Sequence, residues 1–125
     1  MLEKEMAKIN WEEKTGEEIK NLVRGLNPIM GAFTFLEDKK YKFWKVQNIS
    51  NEELYNRFPE MKEYSYKMKD IDNGTILFSS DRSGLYIKAK EGIIEVLEIQ
   101  GENAKRMNVK DFLRGNELMA GSKFD

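Results

Sequence analysis

A chain of 125 residues is the usual size for one domain, and its 40% hydrophobic content can fill one core without disulfides or metal. It has no cysteine, which excludes thiolate zinc and iron–sulfur sites. It has no histidine either, which removes Ser-His and Cys-His pairs and the HExxH metal helix. Twenty-two acids against 21 bases, a net charge of −1, exclude a polybasic nucleic-acid binder with a strong steering field.

The opening MLEKEMAKIN mixes acids with bases and lacks the apolar run of a secretory signal. Residues 1–10 read as a tail or interdomain linker, and residues 11–125 as the domain. No stretch approaches the roughly 20 apolar residues of a membrane span, so no membrane partner is expected and the cytoplasm is the expected compartment.

Thr15 and Glu18 have capping-box spacing, with Ile19, Leu22, Val23 and Leu26 forming one apolar stripe behind them. This predicts a helix that Gly25 or Asn27 closes in the left-handed conformation and Pro28 forbids from continuing. GAFTFL and YKFWKVQNI, joined by EDKK, predict a hairpin over residues 31–49. Ser50 and Glu53 predict a short capped helix that Pro59 stops. PEMKEYSYKMKDIDNG reads mostly as loop, with residues 64–68 the part that suits a strand.

GTILFSS, GLYIKAK and GIIEVLEIQ predict three further strands with turns at DRSG and Glu91-Gly92, and NVKDFLRG a short helix capped by Asn108. The fold class is therefore mainly β with short helices (α+β). An OB-like, partly open β-barrel of five or six strands fits, with one helix before it and a short one after. Phe33, Phe35, Phe43, Ile76, Phe78, Tyr86, Ile94, Val96 and Phe112 are the core candidates.

Taken in order, INW, EEIKNLVRGLNPIMGAFTFL, KFWKV, GTIL, GLYIKAKEGIIEVLEIQ, AKRMNVKDFLRG and AG resemble the C-terminal domain of methionyl-tRNA formyltransferase. The match runs from about residue 9 to residue 121, interrupted by an insertion over residues 50–72. Ile29 and Met30 stand where the family usually carries an aromatic residue and a proline. The resemblance implies a small OB-like barrel that helps hold the initiator tRNA for formylation in translation initiation. It also implies that the catalytic asparagine, histidine and aspartate and the 10-formyltetrahydrofolate site belong to a separate N-terminal domain. This chain would then hold no catalytic residue, cofactor or metal, and its partners would be initiator tRNA, weakly, and a formyltransferase catalytic domain in cis or in trans.

Formyltransferases acting on nucleotide-linked sugars carry similar domains, so the alternative is a structural or dimerisation module. An independent enzyme resting on carboxylates lacks any paired-acid constellation to support it.

KKYKFWK is the leading RNA candidate: Lys39, Lys40, Lys42 and Lys45 alternate with Tyr41, Phe43 and Trp44. Interleaved bases and aromatics on a barrel strand grip single strands, and lysines alone can meet backbone phosphates. Strand alternation sets Tyr41 and Phe43 on one face and Lys42 and Trp44 on the other, so core packing competes with RNA for the rings. Lys88, Lys90, Lys105 and Arg106 are secondary candidates that a plain solvated surface would also explain.

Overall fold

The structure is a computed structural model that describes residues 7–27 and 30–125. Helix α1 spans Gly16–Leu26, and its capping box is complete: the Glu18 amide donates to Thr15 Oγ1, and the Thr15 amide to Glu18 Oε1. Ile19, Val23 and Leu26 are buried against the sheet, with Leu22 packed at the margin.

Two strands follow, β1 (Ala32–Leu36) and β2 (Lys39–Ile49), joined by Glu37 and Asp38. Both turn residues have positive φ, the geometry of a two-residue hairpin whose twist matches its strands. Lys39 and Lys40, expected in the connection, belong to β2 instead. After a short helix α2 (Asn51–Arg57) come β3 (Ile76–Ser80), β4 (Gly84–Lys88), β5 (Ile93–Gln100), β6 (Met107–Asn108) and helix α3 (Val109–Gly115).

The strands form one antiparallel sheet in the order β1-β2-β5-β4-β3, with β6 on the far half of β5. Register breaks around Trp44 and Lys45, opposite Glu98, and recovers by Val46↔Val96. The inward phase changes there in both strands: Phe43 and Ile99 point to the core before the break, Val46 and Val96 after it. Such an irregularity bends the sheet.

The strand ladder is open, and residues 121–125 hydrogen-bond to both of its edges. On the β3 side, Ile76 N–H donates to Ser122 O and Phe124 N–H to Gly74 O. On the β1 side, Asp125 and Phe35 exchange two backbone bonds at 2.8 and 3.1 Å. Phe124, fully buried, meets Phe43 and Tyr41 edge-on and stacks on Trp11. Covering an edge in this way removes the unpaired amides that invite a foreign strand.

Three expectations need correction. Residues 7–10 are not a tail, because Ala7 and Ile9 are buried and the Ile9 amide donates to Phe33 O. The alternation is only two residues deep and lies among charges, too short to read as a strand. Helix α1 does not end in a left-handed residue: Gly25 is helical and Asn27 extended, while the positive φ belongs to Gly31. Pro28 and Ile29, with residues 1–6, lie outside the described residues.

The third correction is the segment PEMKEYSYKMKD, which is a long 3₁₀ helix, Pro59–Asp70, and not a loop or strand. With α2 it roofs the outer face of the sheet through a second apolar cluster of Ile49, Leu54, Phe58, Met68, Tyr86 and Ile93. Phe58 stacks on Phe78 with centroids 4.2 Å apart. Arg57 of α2 donates to Glu95 Oε1 of β5 at 2.8 Å, tying the roof to the sheet.

Candidate nucleic-acid interface

The hairpin positions the leading candidates by pleat and pairing. Tyr41 and Phe43 point inward and are buried, so these two rings belong to the core. Lys40 and Lys42 take the opposite face and stand across from Phe35 and Phe33 of β1. Phe33 and Phe35, expected in the core, are only half-buried, because period-two alternation sends Ala32, Thr34 and Leu36 inward instead.

The outer face is therefore a mixed aromatic and basic surface. Lys40 Nζ sits 4.5 Å from the centroid of Phe33, and the Arg106 guanidinium 4.7 Å from that of Trp44. Each such contact contributes about 0.5–1 kcal/mol at an exposed site. The two Phe rings meet edge-on at 5.7 Å.

Trp44 is fixed from several sides. Its indole N–H donates to Gln100 Oε1 at 2.9 Å, and its carbonyl accepts from Asn27 Nδ2 at 2.7 Å. A Cβ on Gly31 would lie 3.1 Å from the ring, so the bare backbone at Gly31 is what lets Trp44 lie flat against it. Gly31 covers one side of this indole and Arg106 contributes a cation to its surroundings. Arg106 is itself held by Glu98, with nitrogens 2.7 and 2.8 Å from Oε1.

A shallow pocket of about 410 Å³ opens beside this face, lined by Lys40, Lys42, Gln100, Gly101, Glu102 and Asn103. Glu102 accepts the Lys40 backbone amide at 2.9 Å and places one negative charge among the lysines. Lys39 is exposed at the start of β2, and Lys45 is exposed opposite Glu98. Lys105 is exposed in the loop next to Arg106.

Lys8 was missed in the sequence. It pairs with Phe33 between the buried Ala7 and Ile9 and is itself exposed, which adds a further cation beside the hairpin. The signal was the alternation in AKI, too brief to register alone.

The structure does not bring the remaining two lysines to this face. Lys90 is exposed beyond β4, and both Lys88 and Lys90 line a different cavity, beneath the 3₁₀ segment. Lys88 is only 9% exposed, with Nζ donating to Asn73 Oδ1 at 2.8 Å. Burial pushes its ammonium pKa down, against the nearby Asp72 and Glu12 charges. Lys88 is thus corrected from surface cation to buried, bonded wall residue. Among the described residues no helix is long and apolar enough to cross a membrane.

The comparisons bear on this geometry. The family model described as "Formyl transferase, C-terminal domain" matches residues 1–117. Methionyl-tRNA formyltransferase of Ruminiclostridium cellulolyticum is 35% identical over 123 residues, covering 98% of this chain and 34% of the relative. Methionyl-tRNA formyltransferase of Dictyoglomus thermophilum is 36% identical over 124 residues, covering 99% of this chain and 35% of the relative. The chain thus spans about a third of the length of these relatives.

Among solved structures, HypX from Aquifex aeolicus in complex with tetrahydrofolic acid superposes with a TM-score of 0.61 at 11% identity, over 99% of this chain and 21% of that one. A multiply substituted HypX variant gives a TM-score of 0.62 at 11% identity, over 95% and 19%. At that identity the likeness is one of fold.

Proposed function

From the premise that this chain belongs to the formyl transferase C-terminal domain family, we propose that it is a non-catalytic accessory module that helps hold initiator tRNA for formylation of its methionyl group. Formyl transfer itself, with its folate donor, would belong to a catalytic domain in cis or in trans. The observation that carries the reading is the outer face of the hairpin, where Lys40, Lys42 and Arg106 stand among Phe33, Phe35 and Trp44.

The rings on that face are poorly placed for bases. Phe33 has a lysine over it, and Trp44 has Gly31 against its ring and the Arg106 guanidinium 4.7 Å from its centroid. What remains available is the cations, which suit backbone phosphates and fix position without reading sequence. Lys39, Lys45, Lys105 and Lys8 flank the same hairpin and extend the reach of such contacts.

A dimerisation module, the alternative, would be expected to expose a contiguous apolar patch. Among the described residues the large exposed hydrophobics are Tyr64, Tyr66 and Met119, and none belongs to the hairpin face. This favours RNA.

The test is titration of the chain with initiator tRNA at stepped salt. Three or four phosphate contacts give an affinity that falls with salt with a slope of about −3 to −4, and with no broad positive field the binding should stay far from nanomolar. Lys40→Glu with Lys42→Glu should weaken binding and flatten that slope by roughly two. Tight, salt-insensitive binding, or an unchanged slope in the double variant, would end the reading.

A further inference from the structure

The molecule's open aromatic rings lie away from the hairpin. Tyr64 and Tyr66 are 54% and 69% exposed, both on the 3₁₀ segment, within the run KEYSYKMK. Three residues per turn stack positions i and i+3, so Lys67 follows Tyr64 and Lys69 follows Tyr66 along the helix surface. Lys67 Nζ lies 5.5 Å from the Tyr66 centroid. This is the interleaving of bases and aromatics noted in KKYKFWK, but here the rings face solvent.

Tyr66 also borders a cavity of about 1030 Å³ between the 3₁₀ segment, the N-terminal end of α1 and the β4–β5 turn. Met68 and Ile49 give it an apolar floor, and Lys69 and Lys90 are exposed cations at its wall. Lys88 is a wall residue as well, but its ammonium is held by Asn73. Glu17, Glu52 and Glu91 line the same space.

We propose that this cavity is a second RNA contact, which takes an unpaired nucleotide with its base on the Tyr66 ring and its phosphate at Lys69 and Lys90. The inference rests on the reading of the domain as an RNA-holding module and adds a different site and a different RNA feature. The balance of two exposed lysines, Lys69 and Lys90, against three glutamates selects the ligand. A bare polyanion gains little there, and an acidic peptide would meet the carboxylates with few donors. A nucleotide supplies a π-face for tyrosine, a phosphate for lysine, and ribose hydroxyls and base amino groups for glutamate.

Two labelled probes test it by fluorescence anisotropy at low salt: an unstructured ten-nucleotide RNA and a blunt-ended RNA duplex with no unpaired nucleotide. Tyr66→Ala should weaken the single strand at least about fivefold and leave the duplex probe within twofold, with Tyr66→Phe close to the parent. Tyr66 is exposed, so an unchanged thermal melt is expected and checks that the variant is folded. Lys40→Glu with Lys42→Glu should do the reverse, weakening the duplex and sparing the single strand. A Tyr66→Ala variant that binds both probes as the parent does, or loses both equally, overturns the proposal. Loss of the Tyr66 effect with the Lys40 and Lys42 effect intact defeats this site alone; the opposite pattern defeats the hairpin reading and leaves this one standing.

Discussion

Replacing Phe124 by alanine tests whether residues 121–125 are structural. The ring is fully buried and contacts Trp11, Tyr41 and Phe43, all within 6.3 Å between centroids. Truncating a phenylalanine at such a site costs about 3–5 kcal/mol, because transfer energy is lost and the surrounding strands cannot collapse onto the void. The cost should lie at the upper end here. The same segment supplies backbone bonds to Gly74 and Ile76 on one edge and Phe35 on the other, and these are anchored by the ring.

Against a typical total of about 5–15 kcal/mol, that is a large fraction of the stability of the domain. With a urea slope of about 2 kcal/mol per molar, the middle of the usual range, the unfolding midpoint should drop by roughly 1.5–2.5 M at unchanged slope. Met119→Ala, at a residue 62% exposed just before this stretch, should stay within about 0.5 kcal/mol of the parent. A Phe124→Ala midpoint within 0.3 M of the parent would refute the claim that this segment completes the core.

Two glycines make a contrasting pair. Gly92 has φ +87°, and a Cβ there would fall on the buried Asn48 Oδ1, which has no hydrogen-bond partner among the described residues, so Gly92→Ala should cost at least about 2 kcal/mol by chemical denaturation. Asn48→Ala in the same chain should recover only part of the loss, since the positive φ remains. Gly25 sits in α1 with nothing within 4 Å of a built Cβ, so Gly25→Ala should instead stabilise by about 0.5–1 kcal/mol. Glu18 supplies the pH dependence: the Thr15 backbone amide holds its carboxyl below the ordinary 4.5. A depressed folded pKa gives stability that is present above 4.5 and lost as pH falls through the folded value, so Glu18→Gln should flatten the acid limb of a pH–stability curve.

The elements themselves were readable because they rest on local chemistry. The capping box of α1, the apolar stripe behind it and the β-branched run IIEVLEI each carry their own period. The 3₁₀ segment was misread because its interior has no consistent period: Met68 alone is fully buried, and the rest of its apolar residues face either the roof or water.

The candidate site was half legible. KKYKFWK showed which residue types to consider, and alternation alone separated Tyr41 and Phe43 from Lys42 and Trp44. It did not show that Phe33 and Phe35 face outward, because β1 is too short for its pattern to say which phase is the core. Nor did it show that Arg106 would arrive beside Trp44, since that contact joins residues 62 positions apart. Lys88 looked like Lys90 in sequence, and only the folding of Asn73 against it made one a buried wall and left the other exposed.

The sequence by itself determined the helix caps, the hairpins, the absence of thiol and imidazole chemistry, and the family. These depend on residues a few positions apart or on the presence of a residue type. Tertiary structure alone decided which cations share a face, which rings remain open and how the two sheet edges are covered. Those outcomes depend on contacts between residues such as Lys8 and Phe33, or Phe35 and Asp125, whose closeness in space is set by the closure of the whole chain rather than by any local preference.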